Sequence, residues 1–301
     1  MKFALRTVVI VFLLVTAGVA SAADFEAGLE AYVNDDYVAA LEIWTELAHE
    51  GNVQAQHHVA YMYHLGIGVE QSYDLALKWY RKAARQDHTE AQNNLGVMYA
   101  LGTGVKQDSR KAVRWYRAGA EIGDAKAQNN LAYMFEHGEG VPQDNEEAAA
   151  WYRRAAEQGN LHSQKALGVM YDMGRGVERD FSEAAVWYRK AAYQGDLEAQ
   201  HNLAVMCDRG EGLPKDAKKA AYWYRAAAEQ GNLNSQHNLA VMYAVGRGVD
   251  QDLVRAYMWF NFAAEQGDEE ATQLRDLLAE GLTGEELEHA RNLAQILRPG
   301  E

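Results

Sequence analysis

The chain has 301 residues and a formal net charge of −14, with 43 acidic against 29 basic side chains. That balance argues against a nucleic-acid binder, which needs a basic face, and against attraction to an anionic lipid surface. One cysteine in the whole sequence excludes an intramolecular disulfide, so packing alone must hold the fold.

Lys2 and Arg6 open the chain, an apolar run follows from Val8 to Val19, and Ala20-Ser21-Ala22 closes it. This is the layout of a secretory signal peptide over residues 1–22, with cleavage after Ala22. The run is short for a membrane-spanning helix, which takes about 20 apolar residues. A secreted, periplasmic chain without a stable membrane anchor is expected, its net charge moved to −16 by the loss of Lys2 and Arg6.

Residues 23–54 carry a degenerate unit that reads as an N-terminal cap, with Ala40, Trp44, Ala48 and Gly51 but no paired-glycine loop. From residue 55 to 270 one pattern then returns six times at a step of 36. "AQNNLGVMYALGTGV" at 91–105 is one copy; "AQHHVAYMYHLGIGV" precedes it and "AQNNLAYMFEHGEGV" follows. Such a period marks a stack of supersecondary units, none of which can bury its apolar face alone.

In the copy from Ala91 to Lys126, Ala91, Leu95, Met98 and Tyr99 share one helix face. Gly102 and Gly104 are read as ending that helix, and Asp108 as the N-cap of a second. The second helix presents Ala112, Trp115, Gly119 and Ala120, and Gly123 closes the unit. Down the copies, Trp79, Trp115, Trp151, Trp187, Trp223 and Trp259 fall in one column and read as core. Ala60, Gly96, Ala132, Gly168, Ala204 and Ala240 form a column of small residues that lets helices approach closely. Cys207 stands in the column of Tyr63, Tyr99, Phe135, Tyr171 and Tyr243, so it reads as a buried structural thiol. Residues 271–301 read as C-terminal capping helices, the last with Thr283 as N-cap and Glu286 three residues on.

The A-Q-x-x-L-G-x-M-Y helix, the G-x-G-V loop, the following Asp and the K-A-x-x-W-Y-R-x-A-A helix ending in Q-G resemble the Sel-one-like repeat family. That family is related to tetratricopeptide repeats. The resemblance implies an all-α fold, a right-handed α-solenoid of helix-turn-helix repeats, and protein–protein interaction in the cell envelope. Cysteine-rich members are linked to beta-lactam hydrolysis; their paired cysteines are missing here, so that activity is not carried over.

The sequence offers no assembled chemistry. No serine has lysine three residues on, and G-x-S-x-G and H-E-x-x-H are absent. The repeated G-x-G loops lack the third glycine of a dinucleotide site. His57 and His64 share a helix face but lie about 10 Å apart along it, too far for one ion. His201 and His237 lie one repeat apart and are placed as neighbours. Neither a cofactor nor a metal is expected, and the chain is not read as an enzyme.

By resemblance to tetratricopeptide repeats, the first helix of each unit lines a concave groove. The groove column is then His57, Asn93, Asn129, Lys165, His201 and His237, with Tyr61 and Tyr133 one turn on and Glu136 and Asp172 beyond them. Beside it run His58, Asn94, Asn130, Asn202 and Asn238, which suit either a peptide backbone or ties between adjacent helices. Lys165 interrupts the column mid-array. The expected function is an envelope adaptor that holds a peptide or helix in this groove. The alternative is a hydrolase of peptidoglycan or a related substrate, in which carboxylates such as Glu136 and Asp172 converge.

Overall fold

The computed structural model describes residues 24–297. The expected signal peptide, residues 1–22, lies outside them. Among the described residues every regular element is an α-helix, and no helix is long and apolar enough to cross a membrane. The chain divides after Asp144 into two compact units.

The first unit holds α1 (residues 24–33), α2 (Tyr37–Glu50), α3 (Val53–Leu65), α4 (Tyr73–Ala84), α5 (Thr89–Leu101), α6 (Ser109–Ile122) and α7 (Ala125–His137). The α1–α2 pair shares one core: the Phe25 ring stacks on Trp44 at 5.8 Å, and the Trp44 indole N–H donates to the Phe25 carbonyl at 3.3 Å. The second unit holds α8 (Asn145–Glu157), α9 (Leu161–Met173), α10 (Phe181–Tyr193), α11 (Leu197–Arg209), α12 (Ala217–Glu229), α13 (Leu233–Val245), α14 (Leu253–Glu265), α15 (Glu269–Gly281) and α16 (Gly284–Leu297). In both units consecutive helices pack as pairs and the pairs stack, an α-solenoid arrangement.

Local chemistry sets the helix ends. Asn52, Asp124, Asn160, Asp196, Asn232 and Asp268 cap α3, α7, α9, α11, α13 and α15, each accepting a backbone N–H three residues on. At α16 Thr283 and Glu286 form the reciprocal capping box that their spacing predicts. The two glycines of each loop do different work. The first, such as Gly102 at φ +76°, is the left-handed C-cap of the first helix. The second, such as Gly104, ends nothing: a Cβ there would run into Tyr73, the first residue of α4. Gly212 meets the Phe181 backbone at the start of α10 in the same way. Expecting both glycines only to break the helix therefore misses that the second lets one repeat's loop lie against the previous repeat's second helix.

The core follows the apolar columns. Leu95, Met98, Leu131, Leu167, Met170, Leu203 and Leu239 are sealed from water. Cys207 is buried, and burial pushes its thiol pKa up. Gly96 and Gly168 lie flat against the rings of Tyr116 and Tyr188, where a Cβ has no room. The tryptophans are buried except Trp115, which is half-exposed, so the core reading of that column holds at five positions and only in part at the sixth.

A polar element runs through this apolar stack. Gln56, Gln92, Gln128, Gln164, Gln200 and Gln236 are buried. Each donates its side-chain amide to the carbonyl eight residues back, in the last turn of the preceding helix: Ala48, Ala84, Ala120, Ala156, Ala192 and Ala228, at 3.0–3.2 Å. Each of these carbonyls also accepts the backbone N–H three residues on, as Ala192 does from Gly195 at 3.0 Å, and the glutamine amide takes the second lone pair, which packing has shut off from water. Gln86, Gln194, Gln230 and Gln266 then donate to the Oε1 of Gln56, Gln164, Gln200 and Gln236. Gln92 is different. Its Oε1 is buried without a hydrogen-bond partner, because Ile122 stands 30 residues on, where those four copies have glutamine.

Ile122→Gln supplies the missing donor and removes an exposed apolar side chain. The expected gain is about 0.5–1.5 kcal/mol, read as a rise in thermal midpoint of a few degrees. A midpoint that stays or falls contradicts the ladder's contribution.

Candidate functional site

The first helices α3, α5 and α7 of one unit, and α9, α11 and α13 of the other, carry the residues expected to face a groove. Folding turns the first column into the joints between repeats. His57 and Asn93 are buried, and Asn129, Lys165, His201 and His237 half-buried. Each joint is made differently. The Asn94 amide lies 3.3 Å from His57 Nε2, and Asn130 donates to Asn93 Oδ1 at 2.8 Å. Lys165 reaches Glu198 at 2.6 Å and Asp196 at 3.4 Å. His201 Nδ1 meets Ser235 Oγ and His237 Nδ1 meets Asp268 Oδ2, both at 2.8 Å.

The open track expected at His57 and Asn93 is thus corrected. A residue on the edge of the apolar stripe is covered when the next repeat docks, and a single helix cannot reveal that. For Asn94 and Asn130, the tie between adjacent helices is the arrangement found. His201 and His237 do not pair; each turns to the next first helix.

The titrations follow the burial. Burial, with the charges of His88, His58 and Lys126, pushes His57 down to about 3, so its imidazole is neutral. Burial also lowers His64 and His201. At Lys165 burial lowers the pKa, but the Glu198 hydrogen bond and the Asp196 charge outweigh it and hold the ammonium above its usual range. Asp268 is desolvated too, yet the Ala271 N–H and His237 keep its carboxyl below the usual range.

One turn beyond the joints the surface opens. Tyr61 and Tyr133 are 40% and 44% exposed, and Val97, Val169, Val205 and Val241 are half-buried in the same row. The Tyr133 ring stacks on His137 at 4.0 Å. The next rung is polar. Glu136 is half-buried in the first unit. In the second, Asp172 accepts from the Tyr188 hydroxyl at 3.5 Å and Asp208 pairs with Arg247. Asp172 is engaged within its own repeat and Asp208 by the following one, an arrangement that supports packing rather than acid–base chemistry.

Two features escape a reading of the sequence by helix faces. The buried glutamines were visible as the A-Q or S-Q dipeptide recurring every 36 residues, without any hint of which carbonyl they satisfy. His88 was visible as histidine in a column of N-caps otherwise Asn or Asp; the fold brings it and Glu90 to His57.

Six consecutive segments, 53–88, 89–124, 125–160, 161–196, 197–232 and 233–268, match the Sel1 repeat, each beginning at the first residue of a first helix. The chain belongs to the Sel1 repeat family. A Sel1 repeat protein from Oxalobacter formigenes is 36% identical with a TM-score of 0.67, and the likeness covers 80% of this chain and 96% of that one. A protective antigen present in uropathogenic Escherichia coli strains, which displays the same fold, is 32% identical with a TM-score of 0.58, over 92% of this chain and 68% of that one. A comparison with curated proteins finds no match. Sel1 repeats typically form non-enzymatic scaffolds, and Sel1 repeat proteins generally mediate protein–protein interaction.

The depressed pKa of His201 gives this Sel1 array a pH dependence. Its folded pKa lies below the unfolded value of 6.5. The stability of the neutral, buried form is therefore complete above pH 6.5 and is lost as pH falls from 6.5 toward the folded pKa. For one proton the slope is at most about 1.4 kcal/mol per pH unit. His201→Asn, the residue found at positions 93 and 129, removes the titration. Thermal midpoints at pH 7 and pH 5 should fall less for the variant than for the parent chain; equal falls contradict the assignment.

Proposed function

We propose that this chain is a periplasmic scaffold of the cell envelope that binds a protein or peptide partner along the exposed row of its first helices. The observation that carries this reading is the row itself. Tyr61, Val97 and Tyr133 in one unit, and Val169, Val205 and Val241 in the other, recur at one position of successive repeats and keep part of their apolar surface in water. The joint residues beneath are fixed by their own partners, so the row is displayed on a rigid base. In each unit a ledge of apolar side chains, with tyrosines in the first, edged there by Glu136 and in the second by Asp172 and Asp208, suits an extended peptide or an amphipathic helix.

Variation along the row supplies selectivity. Tyrosine alternates with valine in the first unit, while the second presents valine only. Asn129, Lys165, His201 and His237 contribute where they reach the surface between joints; His57 and Asn93 act by holding the ledge. Export is supported by Lys2, Arg6, the apolar run and Ala20-Ser21-Ala22. The acidic mature chain favours a partner with a basic face.

A photo-crosslinking side chain placed at 133 is expected to capture a discrete partner in intact envelopes, and one placed at the exposed second-helix position 193 to capture none. Tyr133→Ala should then weaken that partner by about tenfold or more, as an aromatic anchor does, with an unchanged melting curve. Equal capture from both positions, or unaltered affinity in the variant, moves the binding surface away from the first helices.

A further inference from the structure

The joint between the first two Sel1 repeats differs chemically from the joint at Lys165. In the second unit a first-helix residue, Lys165, meets the N-cap Asp196 and the next-but-one residue Glu198: a cation held between two carboxylates. The same three positions three joints earlier are His57, His88 and Glu90, spaced by the same 31 and 33 residues. Here no cationic side chain fills the centre. His57 and His88 stack at 4.6 Å between ring centroids, and Glu90 Oε2 lies 3.9 Å from His57 Nδ1. One ligand-type atom from each of the three residues falls within 4.8 Å of the others.

His57 Nδ1 is the atom without an explanation. It is shut off from water in a residue 9% exposed, and no hydrogen-bond partner reaches it. A buried polar atom left unpaired is costly, so native sites rarely keep one without use. Asn94 Nδ2 lies 3.3 Å from His57 Nε2, where it donates and leaves the ring proton on Nδ1; a cation at Nδ1 would displace that proton to Nε2, with the Asn94 amide turned to accept it.

We propose that this joint binds one divalent transition-metal cation, with zinc the best match, through His57 Nδ1, an imidazole nitrogen of His88 and a Glu90 carboxylate oxygen. Two imidazoles and a carboxylate are a common zinc donor set, and they leave a fourth position for water. Ligand atoms about 2.0–2.1 Å from a tetrahedral zinc lie about 3.3 Å apart, so atoms now up to 4.8 Å from one another must close on the ion. Glu90 is exposed in the first turn of α5 and is free to make that movement. His88 gives up little: its Nδ1 accepts from Ala91 N–H at 3.3 Å and its Nε2 lies 3.4 Å from Gln54 Oε1, both long contacts. Lys126 places a positive charge near His57 and Asp124 a negative one near His88, so the surroundings are mixed in sign. A bound cation would clamp α3 to α5, as Lys165 clamps α9 to α11.

The test is calorimetric titration of tag-free protein with zinc chloride, with cobalt(II) absorption as a spectroscopic readout of coordination geometry. One saturable equivalent and a tetrahedral cobalt spectrum are expected. His88→Asn keeps the N-cap chemistry of Asn52, Asn160 and Asn232 while removing an imidazole, so it folds as the parent does. That variant and Glu90→Gln should each weaken binding by about tenfold or more, and His162→Ala, at an exposed histidine elsewhere, should not. No saturable binding, or binding that His88→Asn and Glu90→Gln leave unaltered, overturns the proposal.

Discussion

The stack depends on a side-chain amide placed where water cannot reach. Near the end of each repeat's second helix a carbonyl, bonded once by the turn that follows, keeps a second lone pair, and the next first helix packs directly over it. The glutamine in the first turn of that helix, such as Gln200 over Ala192, supplies the donor. In four copies a second glutamine, such as Gln230, satisfies its oxygen. The geometry fixes two separations at once, eight residues back to the carbonyl and 30 forward to the second amide. An inserted or deleted residue between Ala192 and Gln200 alters the first separation and one between Gln200 and Gln230 the second, so the bonds favour a fixed repeat length beyond apolar packing.

The rest of the design is arranged around that joint. The second loop glycine lets each loop lie on the previous repeat, as Gly212 does on Phe181, and Gly168 lets the Tyr188 ring lie against α9. These positions have little freedom. One residue away, at the rim of the same joint, the chain varies what it uses: an Asn pair at Asn93 and Asn130, an ion pair at Lys165, imidazoles at His57, His201 and His237. Beyond the rim, at Tyr61, Val97 and Tyr133 in the first unit and at Val169, Val205 and Val241 in the second, side chains keep surface for another molecule. Constancy in the joint and variety on the ledge are the properties a scaffold needs.

Much of this was legible in the residues. Period, helix pairs, caps at Asp108 and Thr283, and the burial of Cys207 follow from spacing and side-chain chemistry alone. The depth of each position was not legible. His57 and Asn93 lie at the margin of the helix face, and the docking of a helix 36 residues on decides that they are buried. Trp115 fails the other way, half-exposed although its column reads as core. Periodicity shows which way a side chain points along one helix. It carries no information on what the following repeat lays over it, so the His57–His88–Glu90 cluster becomes visible only in three dimensions.

The most direct measurement is the equilibrium unfolding of Gln200→Met. Methionine matches the glutamine in length and is apolar, so packing is kept while the amide is removed. If the joint rests on the amide, the Ala192 carbonyl keeps only the Gly195 N–H and the Gln230 amide only the Ala226 carbonyl, and the second unit is destabilised by about 1 kcal/mol or more. Stability equal to or above that of the parent chain would show that apolar contact alone holds the repeats together.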